Sequence, residues 1–169
     1  MKNLIDLSRL EAGAARPRPE LWTLDDLIAH SLASIDEPTG RVHVELAGGP
    51  FATLVDAAQM ERALVNVVEN ALKFSPGAVE ITGADEEDRV LIRVRDHGPG
   101  LDPREIERIF EPFELGRAAS STGTGLGLAI AAGFAQANGA NLTAAQAPDG
   151  GTVFTLALPR AELPVEVRT

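Results

Sequence analysis

The sequence predicts an α+β fold, a two-layer sandwich with helices on one face of a mixed, mostly antiparallel sheet. Three observations carry this: a long amphipathic helix pattern over residues 57–74, pairs of short alternating strands joined by tight turns, and the interleaving of the two along the chain. The 169 residues suit one domain with a sizeable, mostly aliphatic core. With 44% hydrophobic and 24% charged residues, wholesale disorder is excluded. Fifteen Lys and Arg against 25 Asp and Glu leave a net charge of −10, which argues against a general nucleic-acid or anionic-membrane surface. The absence of Cys removes disulfides, thiolate metal sites and a cysteine nucleophile, and fits a cytoplasmic setting. No signal peptide is visible, and no apolar run reaches the roughly 20 residues that span a bilayer, so the chain is expected to be soluble with no direct membrane contact.

Residues 4–13 place Leu4, Leu7 and Leu10 on one face and stop at Gly13, as the end of a short amphipathic helix would. Arg16-Pro17-Arg18-Pro19 reads as an extended linker, because each proline disfavours helix before it. A helix is expected over 23–34, with Thr23 as N-cap and Leu24, Leu27, Ile28 and Leu32 on its apolar face. Strands are expected at 42–46 and 51–55. In the 57–74 helix Asp56 is the N-cap, and Met60, Ala63, Leu64, Val67, Val68, Ala71 and Leu72 form the buried stripe. That spacing leaves Arg62, Asn66, Glu69, Asn70 and Lys73 on the opposite face. Ser75-Pro76-Gly77 ends the helix. Residues 78–83 and 89–95 form a hairpin across an acidic turn at 85–88, closed by Asp96-His97-Gly98-Pro99-Gly100.

A short helix follows at 103–109, then a Gly, Ala, Ser and Thr-rich segment up to Gly123 with the composition of a mobile loop. Leu126, Ile130, Phe134 and Ala137 mark a helix that ends at Asn138-Gly139. Strands at 141–146 and 151–158 flank an Asp149-Gly150-Gly151 turn, and residues 159–169 read as a flexible tail. The domain organisation is therefore a helix end and linker over 1–19, one domain over 20–158, and the tail.

Three stretches carry chemistry. Gly123-Thr124-Gly125-Leu126-Gly127 runs into a helix, so its glycines admit close approach of a ligand and the helix start offers unpaired N–H groups to an anion. It lacks the Gly-Lys-Ser/Thr ending of a P-loop. Asn66, Asn70 and Lys73 form one row on the 57–74 helix, and neutral amide oxygens suit Mg2+. Asp96, at a strand end before Gly98 and Gly100, reads either as a turn residue or as an acceptor for an exocyclic amine, with the glycines making room for a purine. Glu69 and His97 read as ordinary surface.

Together these pieces resemble the ATP-binding domain of sensor histidine kinases, in the GHKL superfamily shared with gyrase, Hsp90 and MutL. Glu61-Arg62-Ala63-Leu64-Val65-Asn66-Val67-Val68-Glu69-Asn70-Ala71-Leu72-Lys73-Phe74-Ser75 resembles the N box, Asp96-His97-Gly98-Pro99-Gly100 the G1 box, Ile109-Phe110-Glu111-Pro112-Phe113 the F box, and Gly123 to Gly127 the G2 box. The resemblance implies a GHKL (Bergerat) fold that binds ATP and ADP. Asn70 would hold Mg2+, Asn66 would help to place it and the phosphates, and Lys73 would be a nearby cation. Phe74 would border the nucleotide pocket, and Asp96 would take the adenine amine beside Gly98 and Gly100. Residues 101–124 would form an ATP lid anchored by Phe110 and Phe113, with Arg117 as a lid cation. Gly123, Thr124, Gly125, Leu126 and Gly127 would shape its hinge and the phosphate-facing helix start.

Residues 4–13 are similar to the end of the second helix of the dimerisation and phosphoacceptor domain, most of which lies outside the chain as given. None of His30, His43 and His97 has the acidic neighbour and nearby Pro of a phosphoacceptor. The resemblance thus implies a kinase domain that acts on a His of a separate dimerisation domain and serves a response regulator indirectly. It leaves open whether a parent protein is anchored in the inner membrane. The alternatives are a hydrolytic GHKL ATPase, although Asn66 stands where those members carry a catalytic Glu, and an anti-sigma-type serine kinase or regulatory nucleotide-binding module.

Overall fold

The computed structural model describes residues 2–36, 40–112 and 125–163. Among them, α1 (Lys2–Glu11) is followed by β1 (Glu20–Thr23), α2 (Leu24–Ala33), β2 (Val42–Glu45), β3 (Ala52–Val55) and α3 (Ala57–Phe74). Then come β4 (Val79–Glu86), β5 (Arg89–Arg95), α4 (Pro103–Arg108), α5 (Gly127–Ala137), β6 (Asn141–Gln146) and β7 (Thr152–Ala161). The strands form one mixed sheet in the order β1-β3-β7-β5-β4-β2, with β6 also paired to β7. Only the β2–β4 pairing is parallel among the described strands.

Strand β7 organises the sheet. One edge pairs with β5 from Val153 to Pro159, and the other is shared in succession by β6, from Thr152 to Ala157, and by β3 at Arg160 and Ala161. The register aligns Ile81, Val94 and Phe154 across three strands, and Ile92, Leu156 and Leu142 across another three. These residues are buried. Because strand side chains alternate, they share one face, and there they join Leu64 and Val68 of α3, Ile130 and Phe134 of α5 and Leu27 of α2 in a single core. Each fully buried Leu or Ile contributes about 1.5–3 kcal/mol over its exposed state. On the opposite face Thr82 and Arg93, which are register partners, are exposed.

The caps form where the sequence places them. Thr23 Oγ1 accepts from Asp26 N, and Asp56 Oδ1 from Gln59 N. Asp102 and Glu105 complete a capping box on α4.

One element was not foreseen, and two expected bounds are corrected. Residues 20–23 form an edge strand, made by pairing with β3 rather than by any strong local pattern. Strand β4 continues to Glu86, which leaves Glu87, at φ 48°, in the hairpin turn. The tail does not begin at 159, because β7 runs on to Ala161. Pro159 is accommodated at the end of the β5 pairing, where its carbonyl accepts from Thr53 Oγ1 at 2.7 Å. Residues 164–169 lie outside the described residues.

The α1 helix is docked on the domain. Leu7 is buried, and Leu10 lies so close to α5 that a Cβ on Gly133 would stand 2.7 Å from its Cδ1. Arg62 of α3 donates to Asp6 at 2.8 Å through Nε and 2.6 Å through Nη2, and to Asn3 at 3.1 Å.

Candidate functional site

Helix propensity and the apolar stripe dictate α3, but its neighbours dictate what its polar row faces. The sequence places Asn66 on an outward face. In the structure it is only 6% exposed, because α5 packs across α3 and Gly127 lies against it. A Cβ at Gly127 would stand 3.7 Å from Asn66 Cγ and Oδ1. Among the described residues Asn66 Nδ2 has no hydrogen-bond partner. A buried donor left unmade costs about 1–3 kcal/mol, which an acceptor on a ligand would offset. One turn further Asn70 is half-buried. Lys73 is exposed, its Nζ 5.4 Å from the Phe74 ring centroid.

The start of α5 complements this donor. Gly125 has φ +75°, a conformation glycine adopts at no steric cost, and it turns the chain into the helix. Leu126 is the N-cap residue, and its apolar side chain makes no cap hydrogen bond to the helix start. Amides, dipole and the Asn66 donor together make a corner suited to an anion.

Asp96 directly follows β5, in a turn packed against the C-terminus of α3. It is 3% exposed. Its Oδ1 accepts from Gly98 N at 2.9 Å and from Thr152 N at 3.1 Å, which leaves Oδ2 available among the described residues. The turn fits only glycine at 98, where a Cβ would stand 2.6 Å from Phe74 O. Gly100 has φ +78°. The N–H of His97 donates to Ser75 Oγ at 3.1 Å, and Ser75 Oγ donates to Ala78 O at 2.9 Å. The His97 ring, expected to be plain surface, lies 2.5 Å from Glu80 Oε1.

Sequence reasoning missed three contributors. Ser75 supports the turn that carries Asp96, Thr152 holds Asp96 Oδ1, and Gly151 packs so close that a Cβ would be 2.2 Å from Asp96 O. The signal was present in Gly150-Gly151-Thr152, which read only as a hairpin turn. Phe110 stacks edge-on against Phe154, with centroids 6.3 Å apart. Phe113, Arg117, Gly123 and Thr124 lie outside the described residues, as does the second half of the expected lid. A groove of about 390 Å³ between α1 and α5 holds Phe110 but none of the other site residues.

A family model described as "Histidine kinase-, DNA gyrase B-, and HSP90-like ATPase" matches residues 55–162, the span that contains the Asn66 corner and the Asp96 turn. The chain belongs to this family. Within it, the chain is 36% identical over 167 residues to the sensor protein KdpD of Mycobacterium tuberculosis, covering 93% of this chain and 19% of that relative. It is 36% identical over 170 residues to the histidine-protein kinase AfsQ2 of Streptomyces coelicolor, covering 97% of this chain and 31% of the relative. The chain therefore spans between a fifth and a third of these relatives. Among solved structures, the mycobacterial sensor histidine kinase MprB superposes with a TM-score of 0.76 at 27% identity, covering 85% of this chain and all of that one. Full-length ShkA in complex with AMPPNP superposes at 0.78 and 26% identity, covering 97% of this chain and 36% of that one. The ATPase-domain fold of histidine kinases follows for this chain. Among the described residues no helix is long and apolar enough to cross a membrane.

Proposed function

We propose that this domain binds ATP with Mg2+ and presents the γ-phosphoryl group to a His on a separate dimerisation domain, as part of a two-component sensor kinase. The observation that carries the reading is the buried Asn66 donor, unpartnered among the described residues, beside the start of α5, with Asp96 buried near the C-terminal end of α3. Asp96 Oδ2 accepts the adenine amine while Gly98 and Gly100 leave the ring room. The Asn66 Nδ2 donor and the α5 amides hold phosphate oxygens, and Lys73 adds a cation nearby. The donor set fits the metal through the Asn70 amide oxygen, since Mg2+ takes oxygen ligands and shares its shell with water and phosphates. When bound, Mg2+ neutralises phosphate charge. The protein's share of catalysis is positioning and electrostatic stabilisation.

Likeness to a histidine-protein kinase over 97% of the chain extends beyond residues 55–162 and takes in at least part of α1. That supports the kinase reading over a hydrolytic ATPase or an anti-sigma-type module. Calorimetry with ATP and ADP, with and without Mg2+, tests the site. Transfer of labelled γ-phosphate to an added His-bearing dimerisation domain tests the reaction. Binding without Mg2+ dependence, or hydrolysis without transfer, would defeat the proposal. Service to a response regulator belongs to the same proposal and is read by adding that regulator to the transfer assay.

A further inference from the structure

The geometry points to Arg41, which lies in none of the motifs, as a positioning residue for the adenine end of the site; the inference rests on the nucleotide reading above. Helix α3 ends at Phe74, and only some of its last carbonyls find partners within the chain's own turns, as with Ser75 N donating to Ala71 O. The Arg41 guanidinium reaches across from the start of β2 to supply others. Its Nη2 donates to Leu72 O at 2.9 Å, and its Nη1 to Ser75 O and Gly77 O at 2.8 Å each. A cation at a helix C-terminus also opposes the negative end of the dipole. Arg41 is itself anchored, because its own carbonyl accepts from Val79 N at 2.9 Å where β2 pairs with β4.

The other side of the same turn is the floor of the Asp96 site. Ser75 Oγ holds His97 N–H, and Phe74 O is the atom against which Gly98 packs. Residues 72–77 are thus clamped between Arg41 and the Asp96-His97-Gly98 turn. Arg41 touches no nucleotide-facing group, and acts by fixing the carbonyls against which that turn rests. Its forked, planar donor set suits three carbonyls fanned around one turn, whereas Lys offers a point charge. Arg41 is exposed, so its removal does not open the core.

The test uses the whole 169-residue chain with Arg41→Met and Arg41→Lys. Arg41→Met is expected to weaken ADP binding by about fivefold to twentyfold, with Arg41→Lys in between. The loss should be equal for ATP and ADP and unchanged by Mg2+, because the phosphate corner lies at α5. Amide hydrogen exchange without nucleotide should quicken at His97 and Gly98 while Ile92 and Leu156 stay protected. ADP affinity within about twofold of wild type in Arg41→Met, or exchange quickened evenly across the sheet, would overturn the assignment. A wild-type chain that fails to bind ADP would instead overturn the nucleotide reading, and the exchange measurement would still decide the clamp.

Discussion

Asn66 and Asp96 put opposite demands on the fold, and substitution should separate them. Asn66→Ala removes a buried donor that has no partner among the described residues, so the thermal midpoint should hold or rise while ATP affinity falls by more than about tenfold. A marked drop in midpoint would show that the amide is structural. Asp96→Asn keeps an acceptor for Gly98 N and Thr152 N but replaces the oxygen that would take the adenine amine. Nucleotide binding should weaken by about 1–3 kcal/mol by calorimetry, and an unchanged affinity would remove Asp96 from the site. Gly98→Ala should cost about 1–3 kcal/mol of stability in denaturant unfolding, since its Cβ would meet a backbone carbonyl that cannot swing aside. Of these three residues, the sequence identified each by type and spacing. What it misjudged was the burial of Asn66, because helical periodicity sorts residues by face without knowing what a distant helix lays on that face.

At the scale of elements, α3 is held at both ends by residues far away in the chain. Asp56 caps its start, accepts Arg18 N at 2.9 Å, and through its own N–H binds Asn138 Oδ1 at the end of α5. Asn138 Nδ2 reaches Gln59 Oε1 at 2.8 Å. Asp56→Ala should therefore cost about 1–2 kcal/mol, at the upper end for an N-cap, in urea unfolding. The α1 helix depends on a narrower attachment. Its pair with Arg62 is part-exposed, with side chains 29% and 14% accessible, so Asp6→Asn should cost only about 1 kcal/mol. Its visible effect should be faster amide exchange in α1 with β5 and β7 unaffected, and uniform exchange across the chain would count against a local latch. Local periodicity made α3, α5 and the β4–β5 hairpin legible. The edge strand β1 was not legible, because four residues without clear alternation become a strand only when β3 lies beside them.

For the whole molecule, a ligand that binds only the folded state stabilises it by mass action. Mg2+-ADP at about one hundred times its dissociation constant should add about 2.7 kcal/mol, read as a raised thermal midpoint, and Asp96→Asn should cut that gain to between about 0.3 and 1.8 kcal/mol at the same concentration. The sequence by itself determined the α+β class, the helix and hairpin bounds to within a few residues, and the residues of the Asn66, Asp96 and glycine motifs, because periodicity, caps and turn chemistry act over a few neighbouring positions. Only the tertiary structure decided that Asn66 is buried against Gly127, that Thr152 shares Asp96 from 56 residues away, and that Arg41 clasps the end of α3 from more than 30 positions upstream. Those contacts follow from sheet order and helix packing, where the free energy of burying a common core selects partners that no local pattern specifies.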